Sequence, residues 1–317
     1  FGTAVISRVL EAEGLRVAVL AQPDWHDAEA FRAMGRPRLG VFIGAGNLDS
    51  MVAHYTAAKR RRSEDFYSPG KRSGCRPDRA AIVYCNRARE AFGPDMPIIL
   101  GSLEASLRRF AHYDYWDDSV RRAILFDAPA DLLVYGMGEA ATIEIAHRLK
   151  KKQSVRTMTD IPGTGYITRD HSVCKFDHIT LPSFEDVRDD KRLYAEATRT
   201  EYAEHDPIRG RAMIQPCEGR YLIINPPAMP LDTKELDRVA ELPYTREWHP
   251  MYEPLGGVPA IEEVRFSVIH NRGCFGGCSF CALAFHQGRM ITSRSHASVI
   301  RLSLIHISEP TRLGMIS

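Results

Sequence analysis

The feature that most constrains this chain is the alternation of short apolar strands with helices through its first half. Val5, Ile6, Val9 and Leu10 fall on one helical face, the pattern stops at Gly14, and Leu15 to Ala21 form a Val-rich apolar run. Strands follow at Leu39 to Ile43, Pro97 to Gly101 and Asp131 to Tyr135, with helices at about Asp49 to Arg62, Asp78 to Phe92 and Glu139 to Leu149. Strands that are apolar on both faces and alternate with helices imply a parallel sheet covered on both sides. The fold class is therefore α/β, with a doubly wound, Rossmann-like domain over residues 1–150.

At 317 residues the chain is long enough for about two domains of roughly 150 residues each. Its 44% hydrophobic and 26% charged residues are those of a folded globular protein, not of a disordered or collagen-like one. Lys plus Arg number 42 against 40 Asp plus Glu, a net charge of +2, which is too small a field to hold a polyanion. No specific nucleic-acid partner is expected. No apolar run reaches the ~18 residues of a membrane helix, and Phe1 to Arg8 lack a signal-peptide pattern. Seven cysteines are too sparse for a secreted disulfide scaffold, so the expected location is the cytoplasm. Because the chain opens on Phe1 within a helical pattern, a fragment of a longer protein is expected.

Sheets of this kind place ligands at the carboxyl ends of their strands. Those ends carry Gly44-Ala45-Gly46-Asn47, Gly101-Ser102-Leu103-Glu104 and Gly136-Met137-Gly138-Glu139. Gly136, Gly138 and Ala141 satisfy G-x-G-x-x-A, but the acidic partner of a dinucleotide site has no strand to carry it. A tight strand-to-helix turn is the better reading. The basic run Lys59 to Arg62 is offset by Glu64 and Asp65 and reads as the wet face of a helix. Phe110, His112, Tyr113, Tyr115 and Trp116 read as core packing beneath the sheet.

Residues 151–260 hold 11 of the 19 prolines and one helix, Phe184 to Tyr202, with Ser183 and Asp186 as its capping box. They are expected to form an extended connecting region. Cys75, Cys85, Cys174 and Cys217 are isolated in sequence and read as buried or incidental thiols.

Val264 to Ile269 alternates as a strand and leads into Asn271-Arg272-Gly273-Cys274-Phe275-Gly276-Gly277-Cys278-Ser279-Phe280-Cys281. The spacing C-x3-C-x2-C, with glycines that let a loop curl, suits three thiolates converging on a soft metal centre. Structural zinc needs a fourth ligand; His270 and His286 are available, though not at zinc-finger spacing. A zinc-stabilised module that binds a nucleotide or partner is thus the alternative. Three ligands without a fourth suit a [4Fe-4S] cluster with one open iron.

Cys274, Cys278, Phe280 and Cys281 resemble the C-x3-C-x-aromatic-C signature of radical S-adenosylmethionine (SAM) enzymes. Cys274 to Arg289 with Ser293-Arg294-Ser295 resembles the cluster segment of the YgiQ-type family. Ala21-Gln22-Pro23-Asp24-Trp25, Glu104 to Arg109, His112 to Trp116 and Asp206 to Gly210 extend the resemblance over about residues 1–301. It implies that Cys274, Cys278 and Cys281 hold three irons, that SAM chelates the fourth, and that Phe280 lies near the adenine. It further implies that an electron donor such as flavodoxin or ferredoxin feeds the cluster, which cleaves SAM to a 5'-deoxyadenosyl radical that takes a hydrogen atom from a substrate the sequence does not identify. The amino-terminal domain also resembles cobalamin-binding domains, and Asp24-Trp25-His26 begins like their D-x-H-x-x-G motif. Glu29 stands where that motif has glycine, so cobalamin is expected to be unlikely.

Residues 261–301 would then be the first strand and cluster loop of a (β/α) barrel. A complete barrel takes about 250 residues, and 36 follow Cys281, so the barrel is expected to be truncated and the chain inactive by itself. Leu302 to Arg312 resembles a translated sequencing adapter, so residues 302–317 are expected to be a foreign tail without partners.

Overall fold

The computed structural model describes residues 2–278 and 280–313, with side chains as far as residue 305. Helices α1 (Gly2–Ala12) and α2 (Glu29–Arg32) precede strand β1 (Val41–Ile43). Helices α3 (Ser50–His54) and α4 (Ala80–Phe92) lead to β2 (Ile98–Leu100). Helix α5 (Ser102–Leu107) and the ribbon β3 (His112–Asp114) and β4 (Ser119–Arg121) lead to β5 (Leu132–Val134) and α6 (Glu139–Lys150). Beyond these come β6 (Thr164–Thr168), β7 (His178–Thr180), α7 (Phe184–Asp189), α8 (Lys191–Ala203), β8 (Ala212–Cys217), β9 (Arg220–Ile224) and α9 (Thr233–Ala240). The last described elements are α10 (Ile261–Val264), β10 (Asn271–Arg272), α11 (Leu283–Gln287), β11 (Thr292–Ser293) and α12 (His296–Leu313).

One seven-stranded sheet, ordered β1-β2-β5-β6-β9-β8-β7, organises the molecule. Strands β1, β2 and β5 are parallel, while β6, β9 and β8 join by antiparallel pairing and β7 lies parallel to β8. The alternation of the strand residues builds both layers. Ile98, Leu100 and Leu133 face a core with Ala81, Tyr84, Cys85 and Ala88 of α4, whereas Ile99, Leu132 and Val134 face Ala141, Ile145 and Leu149 of α6.

The sheet runs across the expected boundary at residue 150, and residues 151–224, expected to be an extended connection, add four strands to it. Strands β8 and β9 close a two-residue turn at Glu218 and Gly219, both at positive φ (50° and 71°), as the tight hairpin turn requires. Pro216 is tolerated inside β8 because β7 pairs only with Ala212 to Ile214, leaving Pro216 without a neighbour on that side.

Other expectations shift locally. The helix expected to reach Arg62 ends at His54, and Leu15 to Ala21 form no strand. The Ser183–Asp186 capping box is present, but the helix it starts breaks at Asp190, whose carboxylate caps α8. Tyr113 and Tyr115 are exposed on the β3–β4 ribbon, not packed beneath the sheet. The Lys59 ammonium lies 4.8 Å from the Tyr115 ring centre. Val264 to Ile269 is not a strand: its start belongs to α10, with Glu262 and Glu263 in the first turn. Among the described residues no strand pairs with it. The adapter-like residues continue α12 as far as Leu313, and 314–317 lie outside the described residues. Among the described residues no helix is long and apolar enough to cross a membrane.

Candidate functional site

The cysteine loop is clipped to its own hairpin before it meets the rest of the protein. Strand β10 pairs with β11, placing Arg272 opposite Thr292. The Cys274 N–H donates to the Gly288 carbonyl (3.1 Å), and the Gly273 N–H donates to Gln287 Oε1 (3.0 Å). Gly273 has φ +85°, and a Cβ there would stand 2.0 Å from the Met290 carbonyl oxygen, so only glycine lets the strands close here.

Inside the loop the Gly276 N–H donates to Cys274 Sγ (3.4 Å). A Cβ on Gly276 would lie 3.2 Å from Cys274 Sγ and 3.8 Å from Cys278 Sγ, so two thiols face the space that this glycine leaves open. Cys281 follows one turn later, its N–H donating to the Cys278 carbonyl (3.2 Å). Cys274 is half-buried, Cys278 and Cys281 are exposed, and Phe280 is 91% exposed. Among the described residues no three His, Cys, Asp or Glu side chains stand close enough to share a metal ion. Three thiols on one loop, two of them bordering a glycine cradle, are a donor set that fits an iron-sulfur cluster. Cys85 and Cys217 are buried in the core, and burial pushes both thiols up, Cys217 to about 12. Cys75 and Cys174 are half-buried.

The hairpin docks on the carboxyl end of the sheet. Arg272 pairs with the buried Glu139 at 2.5 Å, and the His286 carbonyl lies 3.2 Å from where a Cβ on Gly136 would stand. The G-x-G-x-x-A turn therefore packs against the protein itself, as a tight strand-to-helix turn. The other two glycine loops are tied together from within: the Ala45 N–H donates to Ser102 Oγ (3.2 Å). The buried Glu104 accepts from the Ser50 N–H (2.9 Å), Ser50 Oγ (2.7 Å) and the Ala81 N–H (3.1 Å). Asp24 and His26 form an exposed pair at 2.5 Å, which holds the Asp24 carboxyl below its ordinary value.

Beneath the hairpin lies a polar group that periodicity does not mark. The Arg109 guanidinium is fully buried, 3.7 Å from the Phe285 ring centre and 4.7 Å from that of Tyr135. Burial lowers it to about 10 and raises the nearby Glu201 to about 7. His205 and His286 are depressed by burial to about 3 and about 4. The arginine pair Arg108-Arg109 is visible in sequence and both are buried, but only tertiary packing decides that Arg108 meets Asp49 and Glu104 while Arg109 lies among aromatic rings.

The family model described as Radical SAM N-terminal matches residues 1–267. UPF0313 proteins of Clostridium botulinum (strain 657 / Type Ba4) and Clostridium perfringens (strain SM101 / Type A) are each 54% identical to it, over 95% of this chain and 47% and 45% of their own lengths. The chain thus spans less than half the length of these curated relatives. Among solved structures it is similar to the radical SAM methyltransferase TsrM from Kitasatospora setae with tryptophan substrate and a SAM analogue (TM-score 0.48, 18% identity, 98% of this chain and 43% of that one). A second TsrM structure (TM-score 0.46, 17% identity, the same coverage) is described with cobalamin and a [4Fe-4S] cluster bound. That description corrects the expectation that cobalamin is unlikely. Glu29 departs from one short motif and does not by itself exclude the group. The match over residues 1–267 shows that this chain, an α/β protein whose Rossmann-type amino-terminal region precedes a three-cysteine hairpin, belongs to the radical SAM N-terminal family.

Proposed function

We propose that the protein is a radical SAM enzyme of the YgiQ type, with Cys274, Cys278 and Cys281 as the ligands of a [4Fe-4S] cluster and Phe280 beside the adenine of SAM. The observation that supports this reading is that the Cys274 and Cys278 sulfurs both border the space a Cβ on Gly276 would fill, in a loop whose backbone is fixed at Gly273 and Cys274. A cluster held by these thiolates would supply the one-electron reduction that cleaves SAM to methionine and a 5'-deoxyadenosyl radical. The chain's own part is to hold the thiolates, leave one iron open and keep Phe280 accessible. An exposed loop also lets a donor such as flavodoxin or ferredoxin approach. All seven cysteines are free, which suits the reducing cytoplasm.

Anaerobic reconstitution tests the reading. About four irons and four sulfides per chain are expected. Alanine at any of Cys274, Cys278 or Cys281 should abolish loading, while Cys75→Ala and Cys174→Ala leave it intact. Phe280→Ala should spare iron and weaken SAM binding. A colourless protein holding one zinc would overturn the proposal.

A further inference from the structure

We propose that the recess between the carboxyl end of β5, the segment that follows β9, and helix α11 binds the anionic group, carboxylate or phosphate, of a small organic ligand. The residues assigned to the anion are His205, His286 and Arg289, with Arg109 behind them. The site is separate from the three cysteines and needs no cluster to form.

His205 is 6% exposed and lines the recess; its ring meets the Ala284 backbone on one side, and no hydrogen bond of ordinary geometry reaches either nitrogen. His286 also lines it, and its Nδ1 is buried without a partner. Arg109 leaves Nε and Nη2 without acceptors, its Nη1 being spent on the Ser106 carbonyl (2.6 Å) and, at 3.5 Å, the Phe285 carbonyl. Buried donors left open are costly unless something completes them. The aromatic faces around Arg109 offset part of its charge.

The sign of the missing partner follows from the charges nearby. Burial holds His205 neutral, with Arg109, Arg289 and His286 acting in the same sense. The opposing carboxylate, Glu201, acts on Arg109 and does not line the recess. A neutral imidazole still donates one N–H, so two imidazoles and the exposed Arg289 offer a fork of donors to an anion. Met137, Met229 and Met290 supply apolar walls beside these groups.

The test uses the chain as it stands, with histidine ring NMR during separate titrations of inorganic phosphate and of acetate. Saturable shifts of the His205 and His286 rings are expected with at least one of them. Phosphate alone would point to a phosphorylated ligand and acetate alone to a carboxylate. Arg289→Gln, at an exposed position that should not disturb folding, should weaken the response about tenfold, and His205→Phe should remove it. No shift with either anion, or an unchanged response in Arg289→Gln, would overturn the site.

Discussion

Glu201 and Arg109 show how a single buried pair sets a pH dependence. Burial raises the Glu201 carboxyl from its ordinary 4.5 to about 7, so between those values the folded protein keeps a proton that the unfolded chain has released. Stability that is fully present below about pH 4.5 is therefore lost as the pH rises through about 7, by an amount on the order of 3 kcal/mol. Glu201→Gln cannot ionise and should flatten this part of the profile. Urea unfolding at pH 4.5 and pH 8 checks it: the variant should gain on the parent only at the higher pH, and equal profiles would show that Glu201 is ionised throughout. His205 and His286 act in the opposite sense. Their depressed values mean that acid below about pH 6.5 favours the unfolded chain.

The β10–β11 hairpin is the element on which the thiols depend, and Gly273 is its closing point. Alanine there must leave φ +85° and clear the Met290 carbonyl, which is backbone and cannot swing away. Gly273→Ala should cost the hairpin about 2 kcal/mol or more, speed amide exchange at Arg272 and reduce iron loading. Gly277→Ala, with nothing within 4 Å of its Cβ, should leave both unchanged. Equal effects at the two positions would show that the loop is not held through Gly273. The elements that could be read from sequence were those closed by near neighbours: the Ser183 cap, helix α6, and β2 with its alternating apolar faces. The expected strand at Val264 to Ile269 had alternation but lacked a partner to pair with, and β8–β9 was hidden by Pro216 and a turn spelled by only Glu218 and Gly219.

Across the whole molecule, the sheet passes from β5 into β6 through the pairs Leu133–Gly165 and Val134–Thr164, and we expect the two halves it joins to unfold together. Ile223 is fully buried in β9 and faces Tyr166 and Ile214 across the pairing. Ile223→Ala should cost roughly 2–5 kcal/mol. The loss should register equally at the amides of β2, more than a hundred residues earlier in sequence, in native-state hydrogen exchange. Unchanged protection in β2 would mean that residues 1–150 fold as a separate unit.

The sequence by itself determined what neighbours along the chain decide: the strand and helix periods of the first half, the capping box at Ser183, and the C-x3-C-x2-C spacing that presents three thiols on one loop. Tertiary structure decided the order of the seven strands, the burial of Arg109 beneath Phe285, and the seating of the cysteine hairpin on Gly136 and Glu139. The reason is physical. A cap or a strand period is fixed by contacts a few residues apart, whereas Arg272 meets Glu139 and Arg109 meets Phe285 only after the sheet has formed, and no local pattern records which buried charge will find a partner.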